Sequence, residues 1–251
     1  MVPSRAGFPP SIWFMGQIWE EKTVDEFKRH LIETFITDDR YQYFLKGLGN
    51  TLVITFFAAL IGIVIGFIVA IVRTTYERTG KLKILDAIFR LYLTVIRGTP
   101  AMVQLLIMYY VILSGSNNKI FIAILTFGIN SGAYVAEIVR SGIMSIDKGQ
   151  LEAGRSLGFT YVQTMWYVII PQAFKNVLPA LANEFITLLK ETSISGYIAL
   201  NDLTKAGDIV RSRTYEAFFP LITVAIIYLV MVVVLTALVG KLERRLRASD
   251  R

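Results

Sequence analysis

A chain of 251 residues would suit one or two soluble domains, but 54% hydrophobic residues, only 18% charged residues and a mean hydropathy of +0.55 make this an integral membrane protein. The net charge of +7 then reads as basic residues left on the cytoplasmic side rather than as a nucleic-acid footprint. Cysteine is absent and His30 is the only histidine, so neither a Cys/His zinc site nor a Ser/His or Cys/His nucleophile can be assembled, and no catalytic or metal-ligating residue is assigned.

Residues 1–45 read as an extracytoplasmic or interfacial segment. They lack a compact basic-then-apolar region with a small-residue cleavage site, so the segment is expected to be retained rather than removed as a signal peptide. From Thr23 onward, Val24, Phe27, Leu31, Ile32 and Phe35 recur at helical spacing between charged residues, which predicts an amphipathic helix lying on the membrane or on the protein.

A helix needs about 20 apolar residues to cross a hydrocarbon core of about 30 Å, and five stretches qualify as candidates. The first, residues 48–72, carries Gly62 and Gly66 as a small-xxx-small surface for close helix packing. The second, 87–113, is apolar but interrupted by Arg97, Gly98, Thr99 and Pro100, which predicts one long kinked span. The third, 120–143, contains Asn130, Ser131, Tyr134 and Glu137. The fourth starts near Pro179 and runs through "LANEFITLLKETSISGYIAL"; the fifth, 218–240, is the cleanest.

Basic residues set the orientation. Arg73, Arg78, Lys81 and Lys83 follow the first span, Arg140, Lys148, Arg155 and Lys175 the third, and Lys241, Arg244, Arg245 and Arg247 the fifth. With that side cytoplasmic, the N-terminus is outside, the C-terminus inside and the charged stretch "DKGQLEAGRSLGFT" cytosolic. The segment "NDLTKAGDIVRSRTYE" is then external, although Lys205, Arg211 and Arg213 run against the rule and Asp202, Asp208 and Glu216 offset them only in part.

The stretch "EAGRSLGFTYVQTMWYVIIPQ" has Glu-Ala-small, three residues, Gly158, nine residues, then Val168, Ile170 and Pro171. This resembles the signature loop of the membrane (permease) subunits of bacterial ABC importers. Glu152, Ala153, Gly158 and Pro171 match the pattern, while Gly154 stands for its second Ala, Val168 for Ile and Ile170 for Leu. "RGTPAMVQLLIMYY", "INSGAYVAEIVRSGI", "VIIPQAFKNVLPALANEFITLLKETSI" and the "ERRLR" tail are in turn similar to the polar amino acid uptake permeases of that class.

The resemblance implies an all-α, type I-like translocation domain over residues 46–247, with a coupling loop over 141–178 and a short helix at roughly 148–157 seated in a groove of a cytosolic ATPase subunit. A transmitted push needs a rigid element with exposed contacts, and a short helix ended by Gly158 in a left-handed conformation supplies one. Gln150, Glu152, Ala153, Arg155, Ser156 and Gly158 are the candidate coupling residues; Glu152 and Arg155, spaced i, i+3, can also pair with each other. No GxxxxGK[ST] phosphate loop occurs, "TGKLK" lacking both the upstream glycine and the following Ser or Thr, so this chain is expected to bind no cofactor, with ATP and Mg used by the partner ATPase. The resemblance further implies an extracytoplasmic amino acid binding protein, a second permease copy or a related permease, residence in the bacterial cytoplasmic membrane, and no nucleic-acid partner.

Polar groups in the hydrocarbon region usually face a cavity or one another. The candidate pathway residues are Gln104, Asn130, Ser131, Tyr134, Glu184 and Thr187, a set able to offer acceptors to an ammonium and donors to a carboxylate. Glu137 with Arg140, Lys190 with Glu191, or Arg97 with a carboxylate on a neighbouring span can instead neutralise one another. The favoured reading is the translocation subunit of an ATP-driven importer for a polar amino acid, basic ones included. An ion-coupled carrier using Glu184 and Lys190 would require two similar halves, which five spans do not divide into. A membrane enzyme built on Glu137, Glu184 and Glu191 would need an all-oxygen metal site.

Overall fold

The computed structural model describes residues 24–248, so the first part of the N-terminal segment and the extreme C-terminus lie outside the described residues. Helix α1 (24–31) runs into a wide turn at Ile32–Ile36. It lies on the protein: Phe27 and His30 pack against Phe219, and Phe35 against Phe44. Helix α2 (Tyr41–Thr79) follows, then α3 (Lys83–Gly98), α4 (Ala101–Ile112), α5 (Lys119–Met144), α6 (Lys148–Ser156), α7 (Tyr161–Thr164), α8 (Ile170–Glu191), α9 (Leu203–Thr214) and α10 (Phe218–Ala248).

At 39 residues, α2 is about 58 Å long, far more than a bilayer core requires. The expected 48–72 is its lipid-bathed middle; helix-forming flanks prolong it until Gly80, at φ +68, closes the end. Its partner is α5, and the approach is reciprocal. A Cβ at Gly62 would stand 3.0 Å from Ser131, while Cβ atoms at Gly128 and Gly132 would stand 2.8 and 2.9 Å from Ile61 and Ile65. Glycines on both helices therefore let the two backbones close in, which is how apolar helices gain dispersion contact where lipid competes equally for apolar side chains.

The expected kink within 87–113 is a full break between two helices. α3 and α4 meet at 107°, because Thr99 and Pro100 are both extended (ψ 145° and 136°) and Pro100 has no N–H to continue a helix. The fourth expected span is also displaced. Its helix starts at Ile170, ahead of Pro171 in the first turn where a proline is tolerated, runs through Pro179 and stops at Glu191. The remainder is a 3₁₀ segment, Thr192–Ile198, in which the Thr192 and Ser195 hydroxyls donate to the carbonyls of Leu189 and Thr192.

Among the described residues, three helices (α2, α5 and α10) are long and apolar enough to cross a membrane, or four if the bent α3–α4 pair is one span. α8, at 22 residues, has the length, but it carries Lys175, Glu184, Lys190 and Glu191. Hydropathy alone therefore does not yield the expected five. α5 is the hub, packed against α2, α4 and α8, with 67% of its apolar window buried against 6% for α10.

Candidate functional site

The charged loop folds locally, from signals in its own sequence. Asp147 caps α6 by accepting from the Gly149 N–H at 2.6 Å. At the other end Gly158, at φ +86, gives its N–H to Arg155 O (3.0 Å), and Phe159 gives its N–H to Gly154 O (3.1 Å). That pair of bonds is a Schellman closure, which satisfies carbonyls the helix end would leave open. Gln150, Glu152, Ala153, Arg155, Ser156 and Gly158 all lie on the exposed side, with Leu157 78% exposed beside them. Glu152 and Arg155 form no ion pair among the described residues, so both are available to a partner.

Gly154 is the buried residue of α6. A Cβ there would lie 2.5 Å from Thr164 Cγ2 and 2.9 Å from its Oγ1, so the glycine seats α6 directly on α7. A Thr160–Gln163 capping box opens α7, which continues through a wide turn at Met165–Ile169 into α8. α6 thus rests on the start of the same unbroken helical run that carries Glu184.

In the interior, neighbouring residues of α5 reach opposite ways. Asn130 Nδ2 donates to Gln104 Oε1 on α4 (2.9 Å), and the Ser131 hydroxyl donates to Glu184 Oε1 on α8 (2.9 Å). Asn130 and Ser131 are both buried, and Asn130 Oδ1 has no hydrogen-bond partner. Gln104 turns back over the helix break, its Nε2 donating to Ile96 O, Thr99 O and Thr99 Oγ1. Tyr134 lies under the Arg97 guanidinium, 5.8 Å from ring centroid to Cζ. Thr187 is exposed and donates to Asn183 O, so the structure does not join it to the polar pairs.

A second charged assembly lies where α2, α3 and α5 meet. Glu137 contacts Arg140 (3.0 Å), Arg73 (3.4 Å) and Arg97 (3.8 Å), while buried Asp86 contacts Arg90 (2.7 Å) and Arg73 (3.5 Å). Glu77 bridges Arg73 and Arg140, each at 3.7 Å. A cavity of about 470 Å³ opens between Arg73, Arg90, Arg97 and Glu137. The pairing of Glu137 with Arg140 was legible, and for Arg97 a carboxylate on a neighbouring span was expected, which the structure identifies as Glu137. The parts played by Arg73, Glu77, Asp86 and Arg90 were not, although Arg73/Glu77 and Asp86/Arg90 stand at i, i+4 spacing, the one signal that marks them. Lys190 and Glu191 form no ion pair among the described residues.

On the opposite end of the bundle, Asp208 binds both Lys205 (2.8 Å) and Arg211 (2.5 Å), and hydrogen bonds from these two cations hold its carboxyl below the ordinary range. Two of the three basic residues that ran against the charge rule in this segment are thereby paired locally.

A long-helix membrane bundle with an exposed, capped loop helix joined to its polar centre defines a membrane-embedded transport component. Residues 62–248 match the model of the family described as "Binding-protein-dependent transport system inner membrane component", and the chain belongs to that family. It is 38% identical over 211 residues to the arginine transport system permease protein ArtQ of Bacillus subtilis (strain 168), covering 83% of this chain and 94% of that protein. It is 36% identical over 210 residues to the putative glutamine transport system permease protein GlnP of Rickettsia bellii (strain RML369-C), covering 82% and 94%. A crystal structure of an amino acid ABC transporter with histidines superposes with a TM-score of 0.77 at 44% identity, covering 84% of this chain and 98% of that one. The chain is therefore an ABC permease subunit, a multi-pass inner membrane component rather than a catalytic subunit, and nothing in these likenesses supports an ion-coupled carrier.

Proposed function

We propose that this permease imports a polar amino acid, arginine-like or glutamine-like in head group, using ATP and Mg bound by a separate cytosolic ATPase that docks on α6. The relatives named for arginine and glutamine transport support the substrate class. The observation that carries the mechanism is the continuity between α6 and Glu184: α6 sits by Gly154 on Thr164, and the helix begun there runs on to the carboxylate that Ser131 holds. Closure of the ATPase pushes Glu152, Arg155 and Leu157, tilts α8 against α5, and so exchanges the Ser131–Glu184 and Asn130–Gln104 contacts for contacts with substrate. Asn130 Oδ1 then accepts from the substrate ammonium, with Glu184 supplying the negative charge; Gln104, Tyr134 and Thr187 complete the path.

In this reading the chain crosses the membrane five times, with α3–α4 as one broken crossing and α8 as a polar crossing, N-terminus outside and C-terminus inside. Residues 46–247 form the translocation domain and 1–45 an extracytoplasmic or interfacial segment. An extracytoplasmic binding protein delivers the amino acid, and a second permease encloses the pathway.

The test is uptake of labelled arginine, histidine, glutamine and glutamate into liposomes holding the chain with its candidate ATPase and binding protein. We expect uptake only with ATP inside the ATPase compartment. Uptake that ignores ATP and follows an ion gradient overturns the proposal.

A further inference from the structure

We infer that the groove between α2, α5 and the α7–α8 turn is a binding site for one anionic phospholipid of the leaflet on the α6 side. The deep part of the groove, about 270 Å³, is lined by Phe67, Ile71, Val139, Trp166, Phe174 and Val177. A second part, about 280 Å³, shares Ile71, Ile143, Trp166 and Ile170 with it and adds Thr74, Thr75 and Tyr161. The two are one continuous channel, apolar at its inner end and hydroxyl-lined at its mouth.

Four residues of α2 follow the course of the groove at helical spacing, and their chemistry changes in a definite order. Arg78 is one turn beyond Thr74 on α2, just past the residues that line the mouth. It has no carboxylate within ion-pair distance among the described residues; its side-chain contact is Met144 Sδ at 4.0 Å. One turn inward is Thr74, 2% exposed, whose hydroxyl has no hydrogen-bond partner, whereas nearby Thr79 makes the usual bond to a carbonyl of its own helix. A further turn inward is Ile71, and then Phe67.

A cation, a buried open hydroxyl and an apolar channel, in that sequence, match the phosphate, ester carbonyl and acyl chain of a glycerophospholipid. Thr74 is the second observation: a buried donor left open costs about 1–3 kcal/mol, and a lipid ester oxygen would satisfy it. Depth agrees as well. From Arg78 to Phe67 is about 16 Å along a helix, roughly half of the ~30 Å hydrocarbon core and so the depth of one leaflet. The unpaired Arg78 selects an anionic headgroup. Trp166 and Tyr167, 66% and 68% exposed on the turn above the groove, are placed as membrane-interface aromatics.

Such a lipid would wedge the α7–α8 turn against α2 and α5. Trp166 supplies a direct reporter. With Trp13 and Trp19 changed to Phe, it is the one remaining tryptophan of the three, and its fluorescence can be followed in nanodiscs containing lipid brominated on the acyl chain. We expect half-maximal quenching by brominated phosphatidylglycerol at a mole fraction about fivefold below that for brominated phosphatidylcholine, the preference one basic side chain confers near an anionic lipid. Arg78→Gln should abolish the preference, Arg78→Lys should keep it, and Thr74→Val should raise the half-quenching fraction for both lipids. Equal quenching by the two lipids in the unaltered chain overturns the inference. So does protection of Trp166 from every brominated lipid together with disulfide capture of a Trp166→Cys variant between two copies, which would assign the groove to a second permease. The readout is spectroscopic, so it stands or falls apart from the uptake experiment.

Discussion

Four polar contacts converge on the Gln104 amide: its two N–H groups are shared among Ile96 O, Thr99 O and Thr99 Oγ1 at the helix break, and its oxygen accepts from Asn130. The break frees carbonyls that no N–H of α4 can reach, because the chain turns away at Pro100; the amide replaces the missing donors. Gln104→Leu keeps the bulk and removes all four contacts. We expect a loss of about 1–3 kcal/mol in unfolding free energy, read by denaturing-detergent titration of helicity. A residue that touched only substrate would leave stability unchanged and raise KM alone. Asp202, at the end of the bundle away from α6, makes a different case. Its carboxylate caps α9 through the Thr204 and Lys205 N–H groups, yet burial raises its pKa from 3.8 to about 6. The folded state therefore holds the proton more tightly than the unfolded state. Below about pH 4 both are protonated; as pH rises from there through about 6 the folded state loses stability, by up to roughly 3 kcal/mol. Asp202→Asn keeps a capping oxygen without the charge, so its melting temperature should vary less between pH 4.5 and 7.5 than that of the unaltered chain.

Helix α6 shows which elements a sequence discloses. Its start, end and exposed face follow from Asp147, Gly158 and the charged residues between, all within a dozen positions, so the expected 148–157 agrees with Lys148–Ser156. The α3–α4 bend also has a local cause in Pro100, but its 107° depends on what Arg97, Gln104 and Asn130 hold across helices, and no spacing rule contains that. The start of α8 was missed because an apolar-run criterion discards the polar first turns that a helix on the membrane surface retains. Of the polar centre, Asn130, Ser131, Glu184 and Gln104 were legible as costly residues at depth, while their pairing was not, since each partner lies 26 or 53 residues away. The same limit applies to Gly154, which stands for the pattern's second Ala in sequence and is a fitted seat on Thr164 in the fold. Gly154→Ala should push α6 off Thr164 and cost about 1–3 kcal/mol of that packing. Co-purification of the ATPase should drop, and Gly154→Ala with Thr164→Ala should recover most of it. Equal loss in the single and double variants would show that the seat is not the cause.

For the molecule as a whole, apolar side chains face outward from α2, α3 and α10 while charge is gathered inward at one end, an arrangement that only a lipid surround makes stable. That inward charge closes the bundle where α3 lies against α2 and α5, with Arg73 as the common member that contacts Glu77, Asp86 and Glu137. Its members differ in exposure, and exposure decides what each is worth. The Asp86 side chain is 3% exposed and its partner Arg90 54%. Removing the buried member takes from Arg90 its carboxylate and leaves Arg73 to Glu77 and Glu137; removing the exposed member leaves Asp86 still facing Arg73. Asp86→Asn is therefore expected to lower stability by about 1–3 kcal/mol and to loosen α3, whereas Arg90→Gln should cost under about 1 kcal/mol. Denaturant titration gives the two values, and a spin label at Ile88 on the exposed face of α3 reports its mobility in each variant. If the two substitutions cost the same and α3 stays equally ordered in both, Asp86 and Arg90 are an ordinary helix-surface pair. The contact that fastens α3 would then have to be Glu137 with Arg73 and Arg97.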